Sequence, residues 1–358
     1  MIGERLKLAR VSAGLSLRAL EDRVDGLVTA QAIGKYERDE MMPSSAVLIA
    51  LAKALGVTED YLLNPARVEL LAVEFRKQKL TSVREDATVR ARILSEVERY
   101  IEVERILGLD GRGAALLKKL AVRTLDEVEK AAGELRDAWQ LGEDAIPNLC
   151  EFLEEKGIKI CAIPLPEKVS GVQAVVSQLD AASLPVIVVN AEHPGERQRF
   201  TLAHELGHLY LDVKGSLDAE VACHRFAGAL LIPADVLKRE VGDTRRSLTA
   251  RELFELKLLF GVSAQAIAFR CKDLGIISQS AFAGLFKLFS ARGWRREEPR
   301  PWRKERPARF ERLTIRALAE GLISESKASE LLQKTIEEVV GSMDEPPPEE
   351  NDGRSPGV

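Results

Sequence analysis

Hydrophobic residues recur with different periods along the chain, and the changes of period mark its predicted domains. Residues 2 to 64 contain short apolar runs at helical spacing that break at Gly14 and Gly26, without the alternation typical of a strand. This pattern predicts a compact helical bundle. The stretch to about residue 145 places apolar residues such as Ile93 and Val97 at helical spacing among many charges, which predicts long amphipathic helices.

A second pattern begins near Gly157, where short runs rich in β-branched residues are bounded by Pro, Gly and Asp. It predicts three short strands, at 158–163, 172–177 and 185–189. Helical spacing returns from Glu192 to about Ser290, and a final helix pair is expected at about 313–340. The last residues are polar and proline-rich, which predicts a disordered tail. The fold class that follows is α+β and mostly α.

Composition limits the kind of protein. A chain of 358 residues is long enough for two or three domains at roughly 150 residues each. Its longest apolar runs are far shorter than the ~20 residues of a membrane span, and the N-terminus lacks the apolar core of a secretory signal. The four cysteines are far apart, which argues against disulfides and cysteine zinc clusters. We expect a soluble, cytoplasmic protein without membrane contact.

The most specific local pattern lies at residues 201–210, which have the sequence TLAHELGHLY. Residues four apart on a helix differ by about 40° in azimuth, so His204 and His208 present two imidazoles to one point, with Glu205 beside it. Two histidine nitrogens, one carboxylate and an open water position make a catalytic zinc site, in which the metal lowers the pKa of bound water to about 7. Glu205 would deprotonate that water and pass the proton to the leaving amine. A chance histidine pair on a solvated helix is the alternative, but apolar neighbours such as Leu202 disfavour it.

The third ligand is expected downstream of this helix. Residues 218–231 form a helix-like run that ends before Pro233. Glu220 follows His208 by twelve residues, enough for a turn and a second helix, and we predict it as the third ligand. His224 lies one turn further on the same face, and we predict that it supports a ligand or acts as an electrophile. The alternative ligands are Asp218, Asp212 and His224 itself.

Several blocks around this motif occur in a specific order: LRDAWQLG at 135–142, LEEKGI at 153–158, Val189-Asn190, RFTLAHELGH at 199–208, and Phe226-Ala227 followed by LLIP at 230–233. They resemble the ImmA/IrrE family of metallo-endopeptidases over residues 123 to 294. The resemblance implies a zincin-like fold with a short sheet packed on the motif helix. It implies zinc bound by His204, His208 and Glu220, Glu205 as catalytic base, and a protein substrate, notably a transcriptional repressor. In zincins generally an edge strand holds the substrate backbone, and 172–177 is our candidate.

The N-terminal bundle carries blocks of its own: GERLK at 3–7, GLSL at 14–17, TAQAIGKYER at 29–38, Pro43-Ser44 and LAKALGV at 51–57. Their spacing resembles the Xre/Cro helix-turn-helix family, which implies a five-helix bundle and operator DNA as a partner. Ser16 would cap the second helix, whose first-turn amide groups could meet a DNA phosphate, and Thr29 would cap the recognition helix, so both are candidate DNA-binding residues. Gln31 and Lys35 would then face base edges in the major groove, and two arginines are candidate phosphate contacts, Arg18 and Arg38.

Charge does not by itself identify a DNA-binding protein. The formal net charge is -4, so any DNA contact must come from a local patch. The N-terminal bundle has eight basic residues against nine acidic ones, which predicts a weak field. A bundle used for dimerisation or partner docking is therefore the alternative.

A basic segment at 291–312 contains two tryptophans and four glutamates: Trp294, Trp302, Glu297, Glu298, Glu305 and Glu311. A second nucleic-acid surface is one interpretation. The interspersed glutamates favour the other, a solvated connection to the final helix pair.

Together these patterns predict five segments: 1–65 for the helix-turn-helix domain, 66–145 for a helical connection, 146–290 for the zincin-like domain, 291–342 for the basic connection and helix pair, and 343–358 for the tail. The predicted function is a DNA-binding transcriptional regulator, with a homodimer as one option, whose zinc-dependent endopeptidase domain cleaves a regulatory protein such as a repressor. The first alternative is a non-proteolytic transcription factor or antitoxin-like regulator whose metal site is structural or senses a ligand. The second is a protease that acts independently of DNA.

Overall fold

Five short helices form the N-terminal bundle: α1 (Ile2–Ser12), α2 (Leu17–Arg23), α3 (Ala30–Glu37), α4 (Ser45–Leu55) and α5 (Glu59–Leu63). The computed structural model describes residues 2–63, 68–74, 83–109, 118–178 and 181–344. The hydroxyl of Ser16 accepts a hydrogen bond from the backbone N–H of Ala19 at 3.0 Å, and that of Thr29 accepts one from Ala32 at 3.2 Å. Both predicted helix caps are thus confirmed.

A four-stranded mixed sheet lies at the centre of the chain. Its strands are β1 (Val68–Glu74), β3 (Lys159–Ile163), β4 (Gly171–Gln178) and β5 (Ala181–Asn190), in the order β1-β4-β5-β3. β4 pairs antiparallel with both β1 and β5, whereas β3 and β5 are parallel. A second, parallel pair joins β2 (Leu120–Val122) to β6 (Leu211–Val213). The three predicted strands and the α+β class are confirmed.

Two expectations about these strands are wrong. Residues 66–145 are not purely helical, because β1 and β2 lie there. Val68 pairs with Gln178, and Leu120 pairs with Leu211. Because these partners are far apart in the sequence, the local pattern of hydrophobic residues did not reveal the two strands. Residues 172–177 are not an edge strand either, since β4 is paired on both sides. The main-chain groups that β4 shares with its neighbours are therefore already used within the sheet.

Helices cover both faces of the larger sheet. Ile187 and Val189 of β5 pack in a core with α9 (Gly195–Tyr210), whereas Val186 and Val188 pack in a second core with α6 (Val83–Ile106). Successive side chains of a strand point to opposite faces, so one apolar strand serves both cores. The motif helix α9 and the connecting helix α6 are thereby held on opposite sides of the same sheet.

The connecting helix α6 also contacts the N-terminal bundle. Arg5 of α1 forms an ion pair with Glu98 of α6, and both side chains are almost fully buried. The guanidinium of Arg5 lies 4.7 Å from the ring centre of Tyr61. Arg92 of α6 donates a hydrogen bond to the carbonyl oxygen of Ser12 at 3.1 Å. α6 therefore joins the bundle to the sheet.

The remaining helices complete the core and the C-terminal region: α7 (Leu125–Ala138), α8 (Leu149–Glu155), α10 (Ala219–Leu231), α11 (Ala234–Val241), α12 (Ala250–Phe260), α13 (Ala264–Asp273), α14 (Gln279–Ala291), α15 (Arg309–Ala319), α16 (Glu325–Leu332) and α17 (Ile336–Asp344). Three helices stand where a final pair is predicted. None of the helices in the described ranges is long and apolar enough to cross a membrane. The predicted tail lies outside the described residues from 345 onward.

Residues 292–306, which make up most of the connection from α14 to α15, are here called the C-terminal segment. The prediction of a solvated connection is wrong for its inward side chains. Glu305 forms an ion pair with Arg199 of α9, and Glu298 forms one with Lys257 of α12 at 3.0 Å. All four side chains are 5% exposed or less, so these two glutamates anchor the segment to the core.

A buried polar network joins α6, α8, β3 and α15. The hydroxyl of Tyr100 donates to Glu154 at 3.2 Å, and the backbone N–H of Arg309 donates to the other carboxylate oxygen at 3.2 Å. Glu104 accepts from Lys159 at 2.6 Å and also from the guanidinium of Arg309. Burial raises the pKa of Glu154 to about 7, although these hydrogen bonds and Arg309 act in the opposite direction.

This raised pKa predicts a pH-dependent stability. The folded state holds the Glu154 proton more tightly than the unfolded state does, so stability should decline as the pH rises from about 4.5 to about 7. Glu154→Gln should remove this decline, which we expect to be worth about 2 to 3 kcal/mol. Urea unfolding of both proteins across this pH range measures the difference.

The matched control is Glu155→Gln, which changes the exposed carboxylate next along the chain and should leave the decline intact. If Glu154→Gln and the parent showed parallel pH profiles, the titration assigned to Glu154 would be incorrect.

Candidate metal centre and DNA-binding face

The motif helix α9 is buried along most of its length. It packs against β4 and β5 on one side and α10 on another. His204 and Glu205 are 0% and 1% exposed, and His208 is partly exposed at the outer side. A helix buried in this way must provide partners for its polar side chains, because unpaired polar groups are costly in a core.

The start of α10 brings a carboxylate to the two histidines. Nε2 of His204 and Nε2 of His208 are 3.1 Å apart. The carboxylate oxygens of Glu220 lie 3.2 Å from Nε2 of His208 and 3.5 Å from Nε2 of His204. Tetrahedral ligands about 2.0 Å from zinc are themselves about 3.3 Å apart. The three donors therefore suit one tetrahedral cation, and within the described ranges no other group of three such ligands is brought together.

The alternative ligands have other positions or partners. The carboxylate of Asp218 caps α10 and accepts the N–H of Val221 at 3.0 Å. Asp212 on β6 forms an ion pair with Lys214 at 2.9 Å. His224 is exposed, and its ring centre is 4.5 Å from that of His204, edge to face. The geometry thus brings Glu220 to the histidines and places His224 beside them; the ligand roles stay predictions.

Two glycines let the surrounding elements approach the site. A Cβ at Gly171 of β4 would lie 2.4 Å from the Thr201 methyl and 3.5 Å from the Glu205 Cγ. A Cβ at Gly207, inside the motif, would lie 3.2 Å from the Phe226 ring and would crowd α10. Sequence reasoning assigned neither glycine a role. The signal for Gly207 was its place inside a buried helix, where glycine otherwise lowers stability.

The recognition helix α3 presents its predicted base contacts to solvent. Gln31 and Lys35 are exposed on α3, and Arg18 is exposed on α2. Arg38 is also exposed, but it pairs with Glu40 through two hydrogen bonds of 2.6 and 3.0 Å. Contact with a phosphate would require Arg38 to leave this carboxylate. The other predicted contacts keep the placement that the sequence suggested, and their roles in DNA binding stay predictions.

Comparison with known proteins assigns two regions of the chain. Residues 6–62 match a helix-turn-helix family model, and residues 153–272 match the IrrE N-terminal-like domain model of the M78 peptidases. The chain joins a helix-turn-helix domain to an IrrE-like domain. The IrrE-like match suggests a metallopeptidase-like fold.

A curated relative supports the N-terminal assignment. The SPbeta prophage-derived uncharacterized HTH-type transcriptional regulator YonR of Bacillus subtilis (strain 168) is 41% identical over 64 residues. The match covers 18% of this chain and 57% of YonR, so the chain spans little more than half the length of this relative.

The IrrE-like match contains the candidate metal centre but not all of its supports. His204, Glu205, His208 and Glu220 all lie within 153–272, as does Gly171. Strand β1, helix α6 and the C-terminal segment lie outside it. In this chain the IrrE-like domain is therefore packed against elements from both sides of the matched region.

The close approach at Gly171 can be tested by stability. Gly171→Ala should destabilise the protein by about 1–3 kcal/mol, because the new methyl overlaps the Thr201 methyl and the Val188 carbonyl oxygen. Thr201→Ser removes one of these overlaps and should recover part of the loss in the double variant. Urea unfolding measures all three proteins.

The matched control is Gly133→Ala on α7, where the added methyl meets nothing within 4 Å. It should raise stability by up to about 1 kcal/mol, since alanine is the better helix former. Equal effects of the two alanine substitutions would contradict the proposed contact.

Proposed function

We propose that this protein is a DNA-binding transcriptional regulator whose IrrE-like domain is a zinc-dependent endopeptidase that cleaves a regulatory protein, such as a repressor. The observation that carries the proposal is the convergence of His204, His208 and Glu220 beside the buried Glu205. IrrE-like domains are generally zinc-dependent, and this donor set suits zinc. A regulator acts where the DNA is, so the proposal places the protein in the cytoplasm.

The proposal assigns one region of the chain to each task. Residues 1–65 would bind operator DNA, 66–145 would connect the two domains, and 146–290 would carry the metal centre. Residues 291–342 would pack against the IrrE-like domain, with 343–358 as a tail. A homodimer, in which two recognition helices contact two half-sites, fits operator binding.

His204, His208 and Glu220 would hold the metal, and each residue contributes one donor atom. Bound zinc supplies Lewis acidity, which polarises a carbonyl and lowers the pKa of water at the site. Glu205 would take a proton from the attacking water and deliver it to the leaving amine. The side chains of His208 and Glu220 are 15% and 44% exposed, so a peptide can reach this side of the site.

His224 has a supporting role in this proposal. It follows Glu220 by one turn of α10, is exposed, and stacks edge to face on His204. In that place an imidazole can donate a hydrogen bond to a substrate carbonyl as charge develops on its oxygen. His224 also carries the second candidate function. If it became a fourth ligand, the site would be closed, as structural zinc sites are, and the protein would regulate transcription without proteolysis.

Metal content tests the ligand set before any substrate is known. We expect about one zinc per chain in the parent protein and loss of that zinc in both His204→Ala and Glu220→Ala, because three protein ligands complete the site. Elemental mass spectrometry of the purified proteins gives the ratio. Zinc retained in Glu220→Ala would move the third ligand to His224 or Asp218.

Glu205→Gln separates metal binding from catalysis. It should keep the zinc and lose cleavage by more than about a hundredfold, because general-base catalysis contributes roughly that much or more. The assay is digestion of a peptide library by the full-length protein, followed by mass spectrometry. Parental activity in Glu205→Gln would refute the mechanism, and an inactive, zinc-loaded parent would favour the non-proteolytic regulator.

Base contacts from α3 give a separate test. Gln31→Ala should weaken binding to the preferred duplex by about 1–3 kcal/mol, as the loss of a bidentate base contact does. Lys35→Ala should weaken it too. The duplex is selected from a random library, and fluorescence anisotropy measures affinity. Lys53→Ala removes an exposed charge on α4 of the same bundle and serves as the control. Unchanged affinity in both α3 variants would favour the protease that acts independently of DNA.

A further inference from the structure

The C-terminal segment exposes a dense group of basic side chains. We call this group the arginine ridge; its exposed members are Arg292, Arg295, Arg296, Arg300, Lys304 and Arg306. In the sequence, two glutamates stand among these basic residues, Glu298 and Glu305. The structure decides whether these carboxylates face solvent with the arginines or turn away from them.

Glu298 faces inward. One of its carboxylate oxygens accepts from Nζ of Lys257 at 3.0 Å and from the backbone N–H of Ala264 at 2.9 Å. The other accepts from the backbone N–H of Gln265 at 3.1 Å. Its charge thus faces a buried lysine, which it shares with Glu196 of α9, and the N-terminus of α13. It lies on the inner side of the segment, away from the exposed arginines.

Glu305 also faces inward. It forms an ion pair with the fully buried Arg199 of α9 and accepts the backbone N–H of Cys150 at 3.0 Å. Between the two glutamates, the backbone N–H of Trp302 donates to Glu196 of α9 at 3.1 Å. These contacts hold residues 302–305 against α9, while Glu298 holds the earlier part of the segment against α12 and α13.

The path of the backbone depends on a glycine. A Cβ at Gly195 would lie 2.1 Å from the carbonyl oxygen of Arg303, so only glycine allows this approach. A segment anchored at Glu298, Trp302 and Glu305 leaves the side chains of the ridge on the outside. The backbone that carries the ridge is therefore held in place by these contacts.

With both glutamates buried, Glu297 is the one exposed acid between residues 292 and 306, against the six exposed bases of the ridge. Five of these bases are arginines, whose planar guanidinium matches phosphate oxygens and which keep their charge at any physiological pH. A cluster of one sign on one segment produces a strong local field.

The N-terminal bundle has little positive charge of its own with which to attract DNA. It has eight basic and nine acidic residues, and the structure pairs three of its arginines with carboxylates: Arg5 with Glu98, Arg10 with Glu37 at 2.5 Å, and Arg38 with Glu40 at 2.6 Å. Most of the free energy of non-specific DNA binding comes from contacts between cations and phosphates. Positive charge from another part of the chain would therefore strengthen the attraction to DNA.

The geometry points to the arginine ridge as a second DNA-binding surface, which contacts the phosphate backbone of duplex DNA independently of base sequence. This inference rests on the proposed function only in that the protein binds DNA. In this arrangement the helix-turn-helix domain selects a sequence and the ridge supplies affinity.

Salt dependence tests the ridge. In the full-length protein, Arg295, Arg296 and Arg300 are changed together to glutamine, and affinity for a random-sequence duplex is measured by fluorescence anisotropy at several salt concentrations. The slope of log K against log salt should become shallower by about 2 to 3, because each lost phosphate contact removes about 0.9. The same three residues changed to lysine should keep the parental slope, since their charge is retained.

The matched control changes three exposed arginines outside the ridge to glutamine, Arg239, Arg251 and Arg316. It alters the net charge by the same amount and should leave the slope close to that of the parent. If the ridge variant kept the parental slope, the proposal for the ridge would be wrong. It would also be wrong if the control variant or the lysine variant lost as much slope as the ridge variant. Binding by the helix-turn-helix domain would be unaffected by either result. No duplex binding by the parent would overturn both proposals. Polyglutamate provides the last comparison. If the ridge variant bound polyglutamate more weakly than the parent but bound duplex DNA equally well, the ridge would be a site for an acidic protein partner and not for DNA.

Discussion

Helix α9 is buried on nearly every turn although its sequence is rich in polar residues, and several of its buried polar side chains have a partner from another element. Lys257 of α12 lies 2.7 Å from Glu196, and Gln198 donates to the backbone of Asn190 at 2.9 Å. Arg199 pairs with Glu305. Further along, His204 meets His208 and Glu220. A buried polar group without a partner is costly, so these partners constrain how the surrounding chain can fold.

This constraint explains why the C-terminal segment belongs to the core. Arg199 is fully buried and needs a carboxylate, which Glu305 supplies from more than a hundred residues away. Removal of one partner from such a pair leaves an uncompensated charge in the core, which is far more costly than removal of both. The same pairing turns acidic side chains inward and leaves the basic ones outside.

The sheet and α6 connect the two functional regions. The metal centre lies on one face of the sheet, and α6 lies on the other with the N-terminal bundle against it. The buried pair of Arg5 and Glu98 makes this junction specific in orientation. One packed body therefore carries both the recognition helix and the candidate metal centre.

Features that depend on neighbours along the chain could be predicted from the sequence. The helix caps at Ser16 and Thr29, and the placement of His204 and His208 on one face, follow from the geometry of a single helix. The position of Glu220 followed from a spacing and from a family resemblance, and the structure places it within 3.5 Å of both histidines.

Tertiary structure decided the rest. Strand β1 has the apolar composition of a buried segment of either type, and it becomes a strand because β4 pairs with it. That pairing also removes β4 from the edge of the sheet. Glu298 and Glu305 look like surface charges in sequence, and only contacts with Lys257 and Arg199 turn them inward. Periodicity describes the faces of one helix or strand, whereas burial and charge pairing depend on which distant elements meet, and those contacts form only in the folded chain.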